Sequence, residues 1–68
     1  SDLPLDAIER RETRKAMLAA MTDKQREVFI MYYRDGMTQE QIASILNITQ
    51  VGVKHHLDAA LAKVKKYF

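Results

Sequence analysis

An all-α fold of four short helices is what this sequence predicts, and three observations carry the prediction. Ala, Leu, Met, Gln, Glu, Lys and Arg fill much of the chain, and these residues lose little side-chain freedom in a helix. Only two glycines and one proline interrupt 68 residues. Threonines with a glutamine three positions later stand twice ahead of apolar residues in helical spacing, which is how helices announce their first turns.

The first helix is expected to start at Asp2 and Pro4, a cap followed by proline in the opening turn. Leu5 and Ile8 lie one turn apart, and Ala16, Leu18, Ala20 and Met21 resume the apolar character after the solvated stretch "ERRETRK". The second helix opens with the capping box "TDKQ" from Thr22 to Gln25. Val28, Met31 and Tyr32 form its stripe, widened by Phe29 and Tyr33, and Gly36 supplies a left-handed residue to close it.

A second capping box, "TQEQ" from Thr38 to Gln41, opens the third helix. Ile42, Ile45 and Leu46 are expected to form its buried stripe, and Ala43 is small enough for another helix to approach. Asn47 tolerates the left-handed conformation that a tight turn needs, Ile48 would pack inward and Thr49 would cap the fourth helix. Val53, Leu57, Leu61, Val64 and Phe68, with Ala60 beside them, give that helix a core-facing stripe spaced 4, 4, 3 and 4. The whole chain, 1–68, reads as one four-helix domain.

Helices three and four, joined by about three residues, have the layout of a helix-turn-helix. Such a pair buries one face of the second helix and frees the polar side chains at its N-terminus to enter a major groove. A generic helical bundle shares the layout. Charge leans the same way. Residues 1–35 balance seven basic against seven acidic side chains, whereas 36–68 set Lys54, Lys63, Lys65 and Lys66 against only Glu40 and Asp58. The net charge of +2 therefore sits on the last element, although Lys65 and Lys66 also suit the negative end of a helix dipole.

At these residues a family resemblance emerges. "MTDKQREVFIMYYRDGMTQEQIASILNITQVGVKHHLDAALAKVKKYF" resembles region four of bacterial sigma factors, particularly the extracytoplasmic-function type. In that family a Leu-Pro-x-x-x-Arg-x-Val-Phe pattern leads into a helix, matched by "MTDKQREVF". A glycine-centred turn, "RDGMT", then precedes a helix of the x-x-Glu-Ile-Ala-x-x-Leu kind, matched by "EQIASIL", and "AALAKV" matches the spacing that ends the family's recognition helix. The likeness runs from about Met21 to Lys66, about two-thirds of the chain.

The resemblance implies a sigma-4, LuxR-like helix-turn-helix domain excised from a longer sigma factor. It also implies binding to the minus-35 promoter element while docked on the β-subunit flap of RNA polymerase core. By position, Gln50, Val51, Lys54 and His55 become candidate groove-facing or base-reading residues, and Arg26, Thr38, Gln39 and Lys63 candidate phosphate contacts. Gly52 departs from the pattern, standing where the family usually has Thr or Arg. Asp58 and Ala59 depart too, standing where many relatives carry His, Arg or Lys. Both departures reduce the grip that such a module has on DNA by itself, which suits a domain tethered through polymerase.

Other chemistries find little to hold. No cysteine is present, so a disulfide framework and a thiolate zinc site are excluded. No Ser-His-Asp set, glycine-rich phosphate loop or paired carboxylates suggest an enzyme. His55 and His56 point about 100° apart on a helix, and Ala59 and Ala60 at i+4 cannot ligate, so neither a metal nor another cofactor is expected. His55 divides between facing DNA and facing solvent, and His56 flanks the buried stripe. Phe29 and Tyr32 read as core, whereas Tyr33 stays open between core and base stacking. Met17, Met21, Met31 and Met37 could line an adaptable partner groove, though at least two of them read as core filler. Without a membrane-length apolar run or signal pattern, a cytoplasmic monomer is the expectation.

Two other functions compete. One is the DNA-binding domain of a LuxR-type response regulator, which shares the wording "VKHHL" but usually continues into an Ile-x-x-Lys-Leu dimerisation pattern. The other is a sigma-like protein-interaction module, held by an anti-sigma factor or by polymerase and reading DNA only weakly.

Overall fold

In the computed structural model, residues 11–67 are described. They form α1 (Arg11–Ala19), α2 (Asp23–Tyr33), α3 (Gln39–Leu46) and α4 (Gln50–Val64), with a closing 3-10 turn at Lys65–Tyr67. No strand occurs among the described residues. The expected helix start at Asp2 and Pro4, the apolar pair Leu5 and Ile8, and the final core position Phe68 lie outside them.

Each helix boundary within this range has a local cause. Thr22 accepts from the Gln25 amide while its own N–H donates to the Gln25 side chain, at 3.2 and 3.1 Å. Thr38 and Gln41 repeat the arrangement at 3.1 and 2.9 Å. Both capping boxes therefore satisfy amides that a helix start leaves without partners. Gly36 adopts φ +72° in the turn after α2, a conformation that glycine enters without a steric penalty. Past α3, Asn47 is left-handed at φ 55°, with its amide reaching the Ser44 carbonyl and the Ile48 amide reaching that of Ala43. That pair of bonds closes the helix with a Schellman-type turn and aims Ile48 back at the core.

The helices bury two adjoining apolar clusters. One gathers Met17, Met21, Phe29, Ala60 and Val64, and the other gathers Val28, Ile42, Ala43, Val53 and Leu57. α2 and α4 contribute to both, so they form the spine on which α1 packs at one end and α3 at the other. Tyr33 spans the two clusters, and its ring lies 4.9 Å from those of Phe29 and Tyr32. The open question at Tyr33 thus resolves toward packing. Met17 and Met21 are core filler, as two of the four methionines were expected to be.

One expected core position is wrong. Ile45 is 59% exposed. At about 100° per residue, Ile42, Ala43 and Leu46 centre on one direction of α3, and Ile45 falls roughly 100° away from it. It lines a shallow depression with Met37, Gln41 and Ser44 instead.

Candidate nucleic-acid interface

Three residues, Asn47, Ile48 and Thr49, separate α3 from α4. A left-handed Asn47, an Ile48 packed against the core and a capping Thr49 shape the turn. The Thr49 hydroxyl accepts from the Gly52 amide at 2.9 Å. Val53, Leu57, Ala60 and Val64 bind α4 to the core, so the opposite face is presented outward. Val51, Lys54, His55 and Asp58, spaced i, i+3, i+4 and i+7, share that outward face, and all four are exposed. Gln50 is exposed at the first position of the helix.

The eight residues implicated by sequence fall into two groups. Gln50, Val51, Lys54 and His55 stand together on the first turns of α4, and Thr38 and Gln39 stand at the N-terminus of α3. Thr38 is exposed and Gln39 half-buried. Arg26 and Lys63 belong elsewhere. Arg26 donates from Nε to the Leu18 carbonyl and from a terminal nitrogen to the Met21 carbonyl, each at 2.9 Å, with its third nitrogen 3.1 Å from Asp23. It closes the carbonyl end of α1 from the first turns of α2. Lys63 is half-buried and donates to the Gln25 side chain at 2.7 Å, fastening α4 to the capping box of α2. Lys63 also lies nine positions beyond Lys54, about 13 Å along the helix. Internal bonds hold both cations in place of the free reach expected of a phosphate contact.

Asp58, already noted as a departure from the family pattern, pairs with one of the eight. Its carboxylate lies 3.3 Å from the Lys54 ammonium on the exposed face. The i,i+4 spacing is legible in sequence, and it partly neutralises the most prominent cation of the surface. The exchange between Lys63 and Gln25 has no such signal, because 38 residues separate the partners.

His55 and His56 have ring centroids 6.1 Å apart, with His55 exposed and His56 half-buried. Among the described residues, no three His, Cys, Asp or Glu side chains gather as metal ligands would. Among them, too, no helix is long and apolar enough to cross a membrane.

Gly52 occupies the place that Gln25 and Gln41 hold in the two complete capping boxes. A Cβ there would stand 3.2 Å from the Thr49 hydroxyl oxygen and 3.9 Å from Ile48. Gln25 and Gln41 carry a Cβ in the equivalent relation to Thr22 and Thr38, so α4 can accept one. Gly52→Gln should complete a third capping box and remove a helical glycine, stabilising the domain by about 1 kcal/mol in chemical denaturation. A loss of stability would mean that the close approach to Thr49 dominates.

Comparison with known proteins places these features in a family context. The sequence model described as "Sigma-70, region 4" matches residues 15–64. RNA polymerase sigma factor SigF of Mycobacterium tuberculosis (strain ATCC 25618 / H37Rv) is similar at 38% identity over 64 residues, covering 94% of this chain and 24% of that protein. The probable RNA polymerase sigma factor RfaY of Xanthomonas campestris pv. campestris is similar at 33% identity over 61 residues, covering 87% of this chain and 15% of that protein. The chain thus spans about a quarter or less of the length of these relatives. No solved structure matches it significantly.

Proposed function

The chain belongs to the sigma-70 region 4 family, a family of DNA-binding domains and not of enzymes, and we propose that it serves transcription initiation by reading the minus-35 promoter element. In this reading α4 enters the major groove while the domain is docked on the β-subunit flap of RNA polymerase in the cytoplasm. The observation that carries it is the outward face of α4: Gln50, Val51, Lys54 and His55 are exposed together at the start of a capped helix whose other face is fixed in the core. The first turn of α4 holds no acidic side chain, so its positive dipole end is left unopposed toward phosphates. Thr38 supports the same approach, since its hydroxyl accepts the Gln41 amide and retains a proton to donate.

Isolated, the domain is a weak monomeric binder. One or two base contacts of about 1–3 kcal/mol each, with few phosphate contacts, give salt-sensitive affinity. Tethering through polymerase supplies the effective concentration that the contacts lack.

Asp58 tests this directly. Lys54 cannot hold a phosphate or base at full strength while a carboxylate lies 3.3 Å away. Asp58→Asn should tighten DNA binding about three- to tenfold at low salt and steepen its salt dependence, measured by fluorescence anisotropy with a labelled duplex. Unchanged affinity would place Lys54 away from the DNA.

A second reading, a protein-interaction module held by an anti-sigma factor, has one observation in its favour. Ile45, Gln41 and Ser44 of α3 and Met37 just before it form an open, mostly apolar depression. Retention of an anti-sigma protein, lost on Ile45→Glu with DNA binding intact, would support that reading. The response-regulator alternative shares the helix-turn-helix layout and the wording "VKHHL", whereas the sigma region 4 match extends over residues 15–64.

A further inference from the structure

Val51 is the most exposed large apolar side chain among the described residues, at 80%. Every other valine of α4 is buried, and nothing in the core needs this one. Helix propensity does not explain it either, because a β-branched residue is poorer than alanine at an exposed helical position. It stands at the second residue of α4, on the face that carries Lys54 and His55, and its neighbour Gly52 presents no side chain to hold the turn away from a surface. A branched hydrocarbon has neither donor nor acceptor, so hydrogen-bonded recognition of a base edge is closed to it. In the major groove one base feature suits it, the C5-methyl group of thymine.

We propose that Val51 is a specificity-determining residue that selects thymine at one position of the bound site by packing its methyl groups against the thymine C5-methyl. The inference rests on the reading that α4 enters the major groove. Gln50 and Lys54, the polar neighbours, read or grip adjacent positions, while Val51 disfavours bases whose groove edges it would desolvate without a partner.

Removal of the one methyl group tests it. Duplexes retained by the 68-residue chain from a random-sequence pool provide the site, and each thymine is then replaced singly by deoxyuridine, which lacks the methyl and keeps the pairing. Burial of one methyl group corresponds to roughly a fourfold change in affinity. At one thymine, uracil should therefore weaken binding by the native chain about fourfold and leave Val51→Ala binding unchanged. Because Val51 is exposed, the alanine variant retains the fold, as circular dichroism would verify. A uracil scan that is flat, or that affects the native and Val51→Ala chains alike, overturns the inference. Lys54→Glu separates the two levels. If that variant abolishes binding while the uracil scan is flat, groove entry stands and the role of Val51 falls. If Lys54→Glu binds normally, both fall.

Discussion

Lys54→Glu should abolish promoter-dependent transcription while leaving attachment to RNA polymerase intact. The substitution removes one positive charge and adds one negative, taking the net charge from +2 to 0. It also sets a second carboxylate beside that of Asp58, so that two acidic groups stand on the reading face where a paired cation stood. Loss of a base or phosphate contact costs about 1–3 kcal/mol, and repulsion from the phosphates adds to it, so DNA affinity should fall on the order of a hundredfold. Folding should barely change, because Lys54 is exposed and like charges at i,i+4 cost only a few tenths of a kcal/mol. A stable Lys54→Glu protein that transcribes normally would remove α4 from the groove.

Arg26→Ala should act in the opposite way, destabilising the domain without altering DNA recognition by what remains folded. Its guanidinium makes two bonds of 2.9 Å, one to the Leu18 carbonyl of α1 and one to the Met21 carbonyl in the turn after it, and holds that helix against α2. Charge-assisted bonds of this kind contribute about 1.5–3 kcal/mol, and without them the Leu18 carbonyl keeps only the Met21 amide at 3.2 Å. A total cost of about 3 kcal/mol is a large part of the roughly 3–10 kcal/mol that a domain of this length has. The melting temperature should drop by about 10–20 °C. Arg26→Lys should recover little, since an ammonium lacks the planar fork that reaches both carbonyls. If Arg26→Ala instead melts normally and flattens the salt dependence of DNA binding, the residue is a phosphate contact after all.

These two cations show where sequence reasoning reaches and where it stops. Both capping boxes, the left-handed Asn47 and Gly36, and the Val53–Leu57–Ala60–Val64 face are encoded within a few residues, so local rules recover them. Ile45 is misread because an apolar residue near a helical stripe is counted into it, whereas the packing partner fixes where the stripe is centred. Lys63 resembles a free surface cation until α4 docks on α2 and brings Gln25 within 2.7 Å. Arg26 likewise finds its carbonyl partners only once α1 has folded back beside α2. The outward face of α4 is legible as periodicity, but the pairing that tempers Lys54 emerges only when Asp58 is considered as its neighbour.

The most direct measurement of groove entry is an NMR titration of the 15N-labelled chain with a duplex that it retains from a random pool. Amide shifts should concentrate at Thr38 and Gln39 and from Gln50 to His55, with Arg26 and Lys63 little changed. Shifts confined to Met37, Gln41, Ser44 and Ile45, or to α1 and α2, would contradict groove entry.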